Sequence, residues 1–167
     1  MLVLGLDPGL ALTGWALVDG GGGGRLRLRG SGCLTTSAQL GEPQRLLALS
    51  QQAEELLAMA GAEVVAVERL FFQRNVSTAM AVSQARGVLL CAVARRGLLV
   101  AEYTPGEVKR AVTGSGSADK RQVARMVQLI LGAKVPTTPD DVTDACAVGI
   151  CHQHASGLRV ALAASRA

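Results

Sequence analysis

Aromatic residues are scarce in this chain: one Trp, one Tyr and two Phe among 167 residues. A core with so few rings has to close on Val, Leu and Ala, and an aromatic placed away from that core stands out. Long apolar runs are missing as well. The longest, Gly87 to Ala94, falls far short of the roughly 18 to 20 residues of a membrane span, so no membrane association is expected. The start, Met1-Leu2-Val3, leads directly into a strand pattern with no basic leader or small-residue cleavage site, which points to a cytoplasmic protein. Cys33, Cys91, Cys146 and Cys151 are too scattered for a disulfide framework, and none makes the Cys-x-x-Cys pair favoured by zinc. They read as reduced, buried thiols, and Cys151-His152-Gln153-His154 reads as a helix terminus.

What is present is an ordered succession of strand and helix patterns. The length suits one domain with a sizeable core, expected over residues 1–155 with a C-terminal tail at 156–167. Three opening strands are predicted at Leu2 to Asp7, Thr13 to Val18 and Arg25 to Leu34. Gly20 to Gly24 order only at high entropic cost, and Arg25-Leu26-Arg27-Leu28-Arg29 alternates as a half-exposed strand does. The second and third strands therefore form an antiparallel hairpin with a floppy tip. A helix follows from Pro43 to Ala60, a fourth strand from Glu63 to Glu68, a long helix from Val76 to Arg96 stopped by Gly97, and a fifth strand from Leu98 to Tyr103. Shorter helices over Gly106 to Val112 and Ala118 to Leu131 flank the loop Thr113-Gly114-Ser115-Gly116-Ser117, and a last helix spans Pro139 to His152. Three antiparallel strands and then alternating helix and strand give a five-stranded mixed sheet with helices on both faces, the outline of the ribonuclease H-like α/β fold.

Four carboxylates sit where an uncompensated acid is costly. Asp7 ends Leu2-Val3-Leu4-Gly5-Leu6 and Glu68 ends Val64-Val65-Ala66-Val67, so each projects from the end of a buried strand. Asp141 and Asp144, three apart, share one face near the start of the last helix, with Thr138 as cap and Pro139 in first position. Asp140 lies about 100° round that helix from Asp141, as a solvated cap favouring the helix dipole; its i, i+4 pairing with Asp144 is a second geometry open to it. Desolvated like charges cost several kcal/mol each unless a cation compensates, and hard carboxylate oxygens suit Mg²⁺ or Mn²⁺. Lys and Arg number 17 against 13 Asp and Glu, net +4, so acids committed to a metal leave a surface basic enough for a polyanionic partner.

Six segments in order carry a resemblance: Leu4-Gly5-Leu6-Asp7-Pro8-Gly9, Thr13-Gly14-Trp15-Ala16, Val67-Glu68-Arg69-Leu70-Phe71-Phe72, Gln84-Ala85-Arg86-Gly87, Gly114-Ser115-Gly116-Ser117-Ala118-Asp119-Lys120 and Asp141-Val142-Thr143-Asp144-Ala145. Together they resemble the RuvC family of bacterial Holliday-junction resolvases, end to end. The resemblance implies a homodimeric endonuclease of DNA recombination and repair that places two symmetric nicks in a four-way junction. It implies two Mg²⁺ or Mn²⁺ ions per active site and the RuvA–RuvB branch-migration complex as partner. It aligns Asp7, Glu68, Asp141 and Asp144 with the family's metal-binding acids, the position of Asp141 being one where family members can carry histidine. It matches Lys120 and Lys109 to basic residues near the scissile phosphate, with Lys109 equally readable as a solvated lysine, and Phe71 to the residue that stacks at the junction centre.

The chemistry of the residues agrees with that assignment. In-line attack on a phosphodiester needs an activated water and a stabilised leaving oxyanion, which two cations roughly 3.5 to 4 Å apart supply, with Asp7 best placed to be shared between them. Lys120 can neutralise charge developing on the phosphate. Phe71 and Phe72 follow Glu68 where a loop leaves the strand, and point to a wedge that stacks on unpaired bases. Arg69, Arg74 and Arg86 lie nearby in sequence to contact phosphates, Arg86 being equally able to brace its helix through an ion pair. The helix Val76 to Arg96 is either the dimer contact that the resemblance implies or a core helix. Other classes fit less well. Actin-like ATPases and sugar kinases also open with Asp-x-Gly after a strand, but need a second such domain. A non-catalytic relative would have lost acids that are all filled here, and a nuclease for RNA or RNA–DNA hybrid is disfavoured by the Phe71 and Gly-Ser segments through the resemblance.

Overall fold

Strand β1 (Leu2–Asp7) is the middle of the sheet, and the alternation of its side chains sets up both faces. The computed structural model describes residues 1–21, 25–69 and 76–164, the side chains of 76–78 and 158–164 excepted. Phe71, Phe72, Arg74 and most of the predicted glycine tip lie outside the described residues.

β1 pairs antiparallel with β2 (Leu12–Asp19), which pairs antiparallel with β3 (Arg27–Thr35). On its other side β1 pairs parallel with β4 (Val64–Glu68), and β4 with β5 (Leu99–Tyr103), giving the order β3-β2-β1-β4-β5. The helices are α1 (Glu42–Ala60), α2 (Val76–Arg95), α3 (Pro105–Thr113), α4 (Lys120–Leu131) and α5 (Asp141–Ala164). Leu4, Leu6, Val65 and Val67 pack against α1 and α2, whereas Val3, Ala16, Val18, Val64 and Ala66 pack against α3, α4 and α5. This is the predicted mixed five-stranded sheet with helices on both faces.

Several element ends differ from expectation. The last helix starts at Asp141: Thr138 and Pro139, joined by a cis peptide bond, precede it, and its first turn is closed by Asp144 N donating to the carbonyl of Asp140 at 2.9 Å. It also runs well past His152, to Ala164. The polar cluster there is packing rather than a terminus, because Gln153 is buried and its amide donates to the carbonyls of Met1 at 2.9 Å and Val18 at 2.8 Å. Cys146 and Cys151 are buried, but Cys33 is half-buried and Cys91 is exposed on α2. No helix among the described residues is long and apolar enough to cross a membrane.

Candidate active site

Alternation places two acids on one face. Residues 3, 5 and 7 of β1 and 64, 66 and 68 of β4 point toward α5, and the Leu6–Val67 register puts Asp7 and Glu68 in adjacent positions one step further on. The turn after Asp7 is closed by Thr13, fully buried, whose hydroxyl donates to the carbonyl of Gly9 at 2.7 Å and accepts from its N–H at 3.2 Å.

Glycines then let α5 lie directly on these strands. A Cβ at Gly5 would overlap the carbonyl oxygen of Ala145 and stand 2.9 Å from Gly149 N, and one at Gly149 would stand 2.8 Å from Val18 Cγ2. A Cβ at Gly14, the register partner of Asp7, would overlap the carbonyl oxygen of Asp141. The first turn of α5, carrying Asp141 and Asp144, is thereby seated beside Asp7. Lys120 reaches the same place from α4. The loop before it is tied by Thr113 Oγ1, which donates to the carbonyl of Lys109 at 2.8 Å and accepts from Ser115 N at 3.2 Å; Asp119 and Gln122 form a capping box at the helix start.

The electrostatics bind these residues into one site. Burial, then the charges of Asp144, Glu68 and Asp141, push the Asp7 carboxyl up from 3.8 to about 8. Glu68 is raised by burial and by Asp144, against the opposing fields of Lys109 and Lys120. Asp144 is raised chiefly by burial, with Lys120 opposing and Asp140 and Asp141 adding to the rise. The Lys120 ammonium pairs with Asp140 and stands 3.7 Å from Asp144, which raises the lysine and lowers Asp140.

These donors fit a hard divalent cation by chemistry: carboxylate oxygens alone, desolvated, each making its neighbours harder to ionise. Among the described residues, no three His, Cys, Asp or Glu side chains stand close enough together to grip an ion as they are placed. Four carboxylates repel one another, and Lys120 draws Asp140 and Asp144 toward α4. What unites them is a shared field at the ends of β1, β4 and α5.

The remaining residues singled out in the sequence fall at varying distances from this centre. Lys109 projects its field onto Glu68. Arg69 is exposed just after β4, its N–H donating to the carbonyl of Tyr103 at 2.7 Å. Arg86 pairs with Glu102 of β5, and its Nε is buried with no hydrogen-bond partner among the described residues. The bracing role is the one this geometry fills. Sequence reasoning passed over the seating roles of Gly5, Gly14 and Gly149, because backbone approach between distant segments leaves no local pattern. It also passed over Tyr103, opposite Glu68 in the β4–β5 register, whose hydroxyl lies 2.8 Å from His152 Nδ1.

A ribonuclease H-like sheet with desolvated acids at the ends of its two central parallel strands and on the crossing helix defines a nuclease of the phosphodiester-cutting class. The family model for crossover junction endodeoxyribonuclease RuvC matches residues 3–152. A RuvC of Chloroflexus aggregans is 48% identical over 92% of this chain and 93% of its own length, and one of Moorella thermoacetica 49% identical over 91% and 90%. The solved Thermus thermophilus RuvC in complex with Holliday junction substrate superposes with a TM-score of 0.86 at 35% identity, covering 93% of this chain and 94% of the other. The chain belongs to the crossover junction endodeoxyribonuclease RuvC family, and membership implies dependence on divalent metal.

Proposed function

We propose that this protein is a homodimeric cytoplasmic resolvase that places paired symmetric nicks in four-way DNA junctions, using two Mg²⁺ or Mn²⁺ ions per active site. The observation that carries the reading is the convergence of Asp7, Glu68, Asp141 and Asp144 in one field with Lys120 at its edge. Asp7, Glu68, Asp141 and Asp144 would hold the ions, which would supply an activated water and a stabilised leaving 3′-oxygen. Asp7 lies under the influence of all three other acids and would be the ligand best placed to serve both ions. Lys120 orients the scissile phosphate and offsets charge developing on it, with Lys109 strengthening the same positive field. Arg69 and Arg74 contact phosphates, and Phe71 and Phe72 stack on unpaired bases at the junction centre.

Paired nicks require two sites related by a twofold axis. The exposed Met80 on α2, and Leu99 and Val100 on the edge strand β5, are apolar surface in keeping with a second copy. By resemblance the RuvA–RuvB branch-migration complex is its partner in recombination.

The deciding experiment compares a synthetic four-way junction with linear duplex and an RNA–DNA hybrid in Mg²⁺ or Mn²⁺. Symmetric nicks in the junction alone are expected; cutting of the hybrid instead would make this an RNA-directed nuclease, and binding without cutting a non-catalytic relative. Within that assay, Lys120→Ala should lower the single-turnover rate about 10²-fold, as loss of one charge-stabilising donor does, and Lys120→Arg should restore part of it. A Lys120→Ala rate equal to wild type would remove the lysine from the chemistry.

A further inference from the structure

Basic residues beyond Lys120 continue away from the acids along α4. Arg121 and Arg125 lie on its exposed face, and the segment 132–140 opposite brings Lys134 and the hydroxyls of Thr137 and Thr138. Between them runs an open groove of about 910 Å³ whose near end is formed by Asp140 and Asp144. At the far end Arg25 reaches Gly132, where a Cβ would stand 3.2 Å from its Nη2. Among the described residues, no Asp or Glu lies within ion-pairing distance of Arg121, Arg125 or Lys134. The acids lining the groove are confined to its catalytic end, so positive charge accumulates where none of it is neutralised. Among the described residues, no aromatic ring lines the walls.

We infer that this groove holds the phosphodiester backbone of the DNA strand flanking the scissile phosphate, with Arg121, Arg125 and Lys134 as its phosphate-gripping cations. The inference rests on the junction-cutting reading and extends its footprint beyond the acid cluster. Arg121 and Arg125 are about one helical turn apart, roughly 6 Å along the axis, a spacing at which two cations can meet neighbouring phosphates of one strand. Contacts of this kind fix the position of the cut strand and carry no sequence information.

The test is the salt dependence of binding to a synthetic four-way junction, measured by fluorescence anisotropy in EDTA between about 50 and 200 mM NaCl. The triple variant Arg121→Gln, Arg125→Gln, Lys134→Gln should lose about 2 to 3 from the slope of log affinity against log salt, since each phosphate contact contributes roughly 0.7 to 0.9. At the lowest salt it should bind on the order of tenfold or more weakly, whatever the arm sequence. The double variant Arg121→Lys, Arg125→Lys keeps the charge and should keep the slope, which separates phosphate contact from any effect on packing. All three side chains are exposed, so the fold is not at stake. A triple variant with the wild-type slope and affinity overturns the inference and leaves the junction-cutting reading standing. A wild-type protein that does not bind the junction overturns both.

Discussion

Asp7→Asn protein will bind a four-way junction but cut it on the order of 10³-fold more slowly, because losing the carboxylate proposed to serve both ions removes about 4 kcal/mol or more of transition-state stabilisation. The same protein, in EDTA at about pH 8, will be more stable than wild type. Asp7 is held near 8 first by burial and then by Asp144, Glu68 and Asp141. A carboxyl raised in the folded state favours the fold while it is protonated. That contribution is complete below the ordinary value of 3.8 and is lost as the pH climbs through about 8. Glu68 and Asp144 are shifted the same way, so wild-type Tm should fall between about pH 5.5 and pH 8 without metal. Asp140, lowered, and Lys120, raised, titrate outside that window. Removing the Asp7 charge should gain about 1 to 3 kcal/mol at pH 8 after allowing for partial solvation, or very roughly 3 to 10 °C in Tm. Differential scanning fluorimetry at the two pH values decides it. An Asp7→Asn protein less stable than wild type at pH 8 would show that the site is not a cluster of mutually destabilising acids.

The acids at Asp7 and Glu68 were legible because two short-range rules coincide there: a continuous apolar run marks a doubly covered strand, and period-two alternation fixes which face its last residue takes. Asp141 and Asp144 were legible from helical spacing even though the helix begins at Asp141 rather than Pro139, since a shift of two residues leaves both acids in the first turn. The far end of that helix was misread because His152, Gln153 and His154 look like a solvated terminus, whereas Gln153 is buried against the carbonyls of Met1 and Val18, more than a hundred residues away in sequence. The fourth-strand acid and the lysine loop are local signals; the groove is not. Arg121 and Arg125 take on a role only once the fold brings residues 132–140 alongside them. Arg86 shows the same limit, its two sequence readings being separable only once Glu102 of β5 is seen against it.

Gly14→Ala should leave a folded protein that cuts about 10²-fold more slowly, although the residue carries no functional group. Its added Cβ would overlap the carbonyl oxygen of Asp141 and stand 3.0 Å from Asp141 Cβ. Those atoms belong to the helix start and cannot rotate aside as the end of a long side chain could, so the first turn of α5 has to lift from β2. Overpacking of this kind costs about 1 to 3 kcal/mol. The larger effect falls on catalysis, because Gly14 is the register partner of Asp7, and any lift moves Asp141 and Asp144 away from it. A displacement near 1 Å of groups proposed to hold the same ions should cost on the order of 10²-fold in rate. Affinity for Mn²⁺, measured by calorimetry, should fall together with the rate. Gly30→Ala on β3 is the matched control: its Cβ would meet the Trp15 ring at 3.5 and 3.6 Å, ordinary contact distances, so rate and metal affinity should hold. If Gly14→Ala keeps both the rate and the Mn²⁺ affinity of the wild type, close seating of α5 on β2 is not what assembles the acids, and the site must tolerate a helix free to shift.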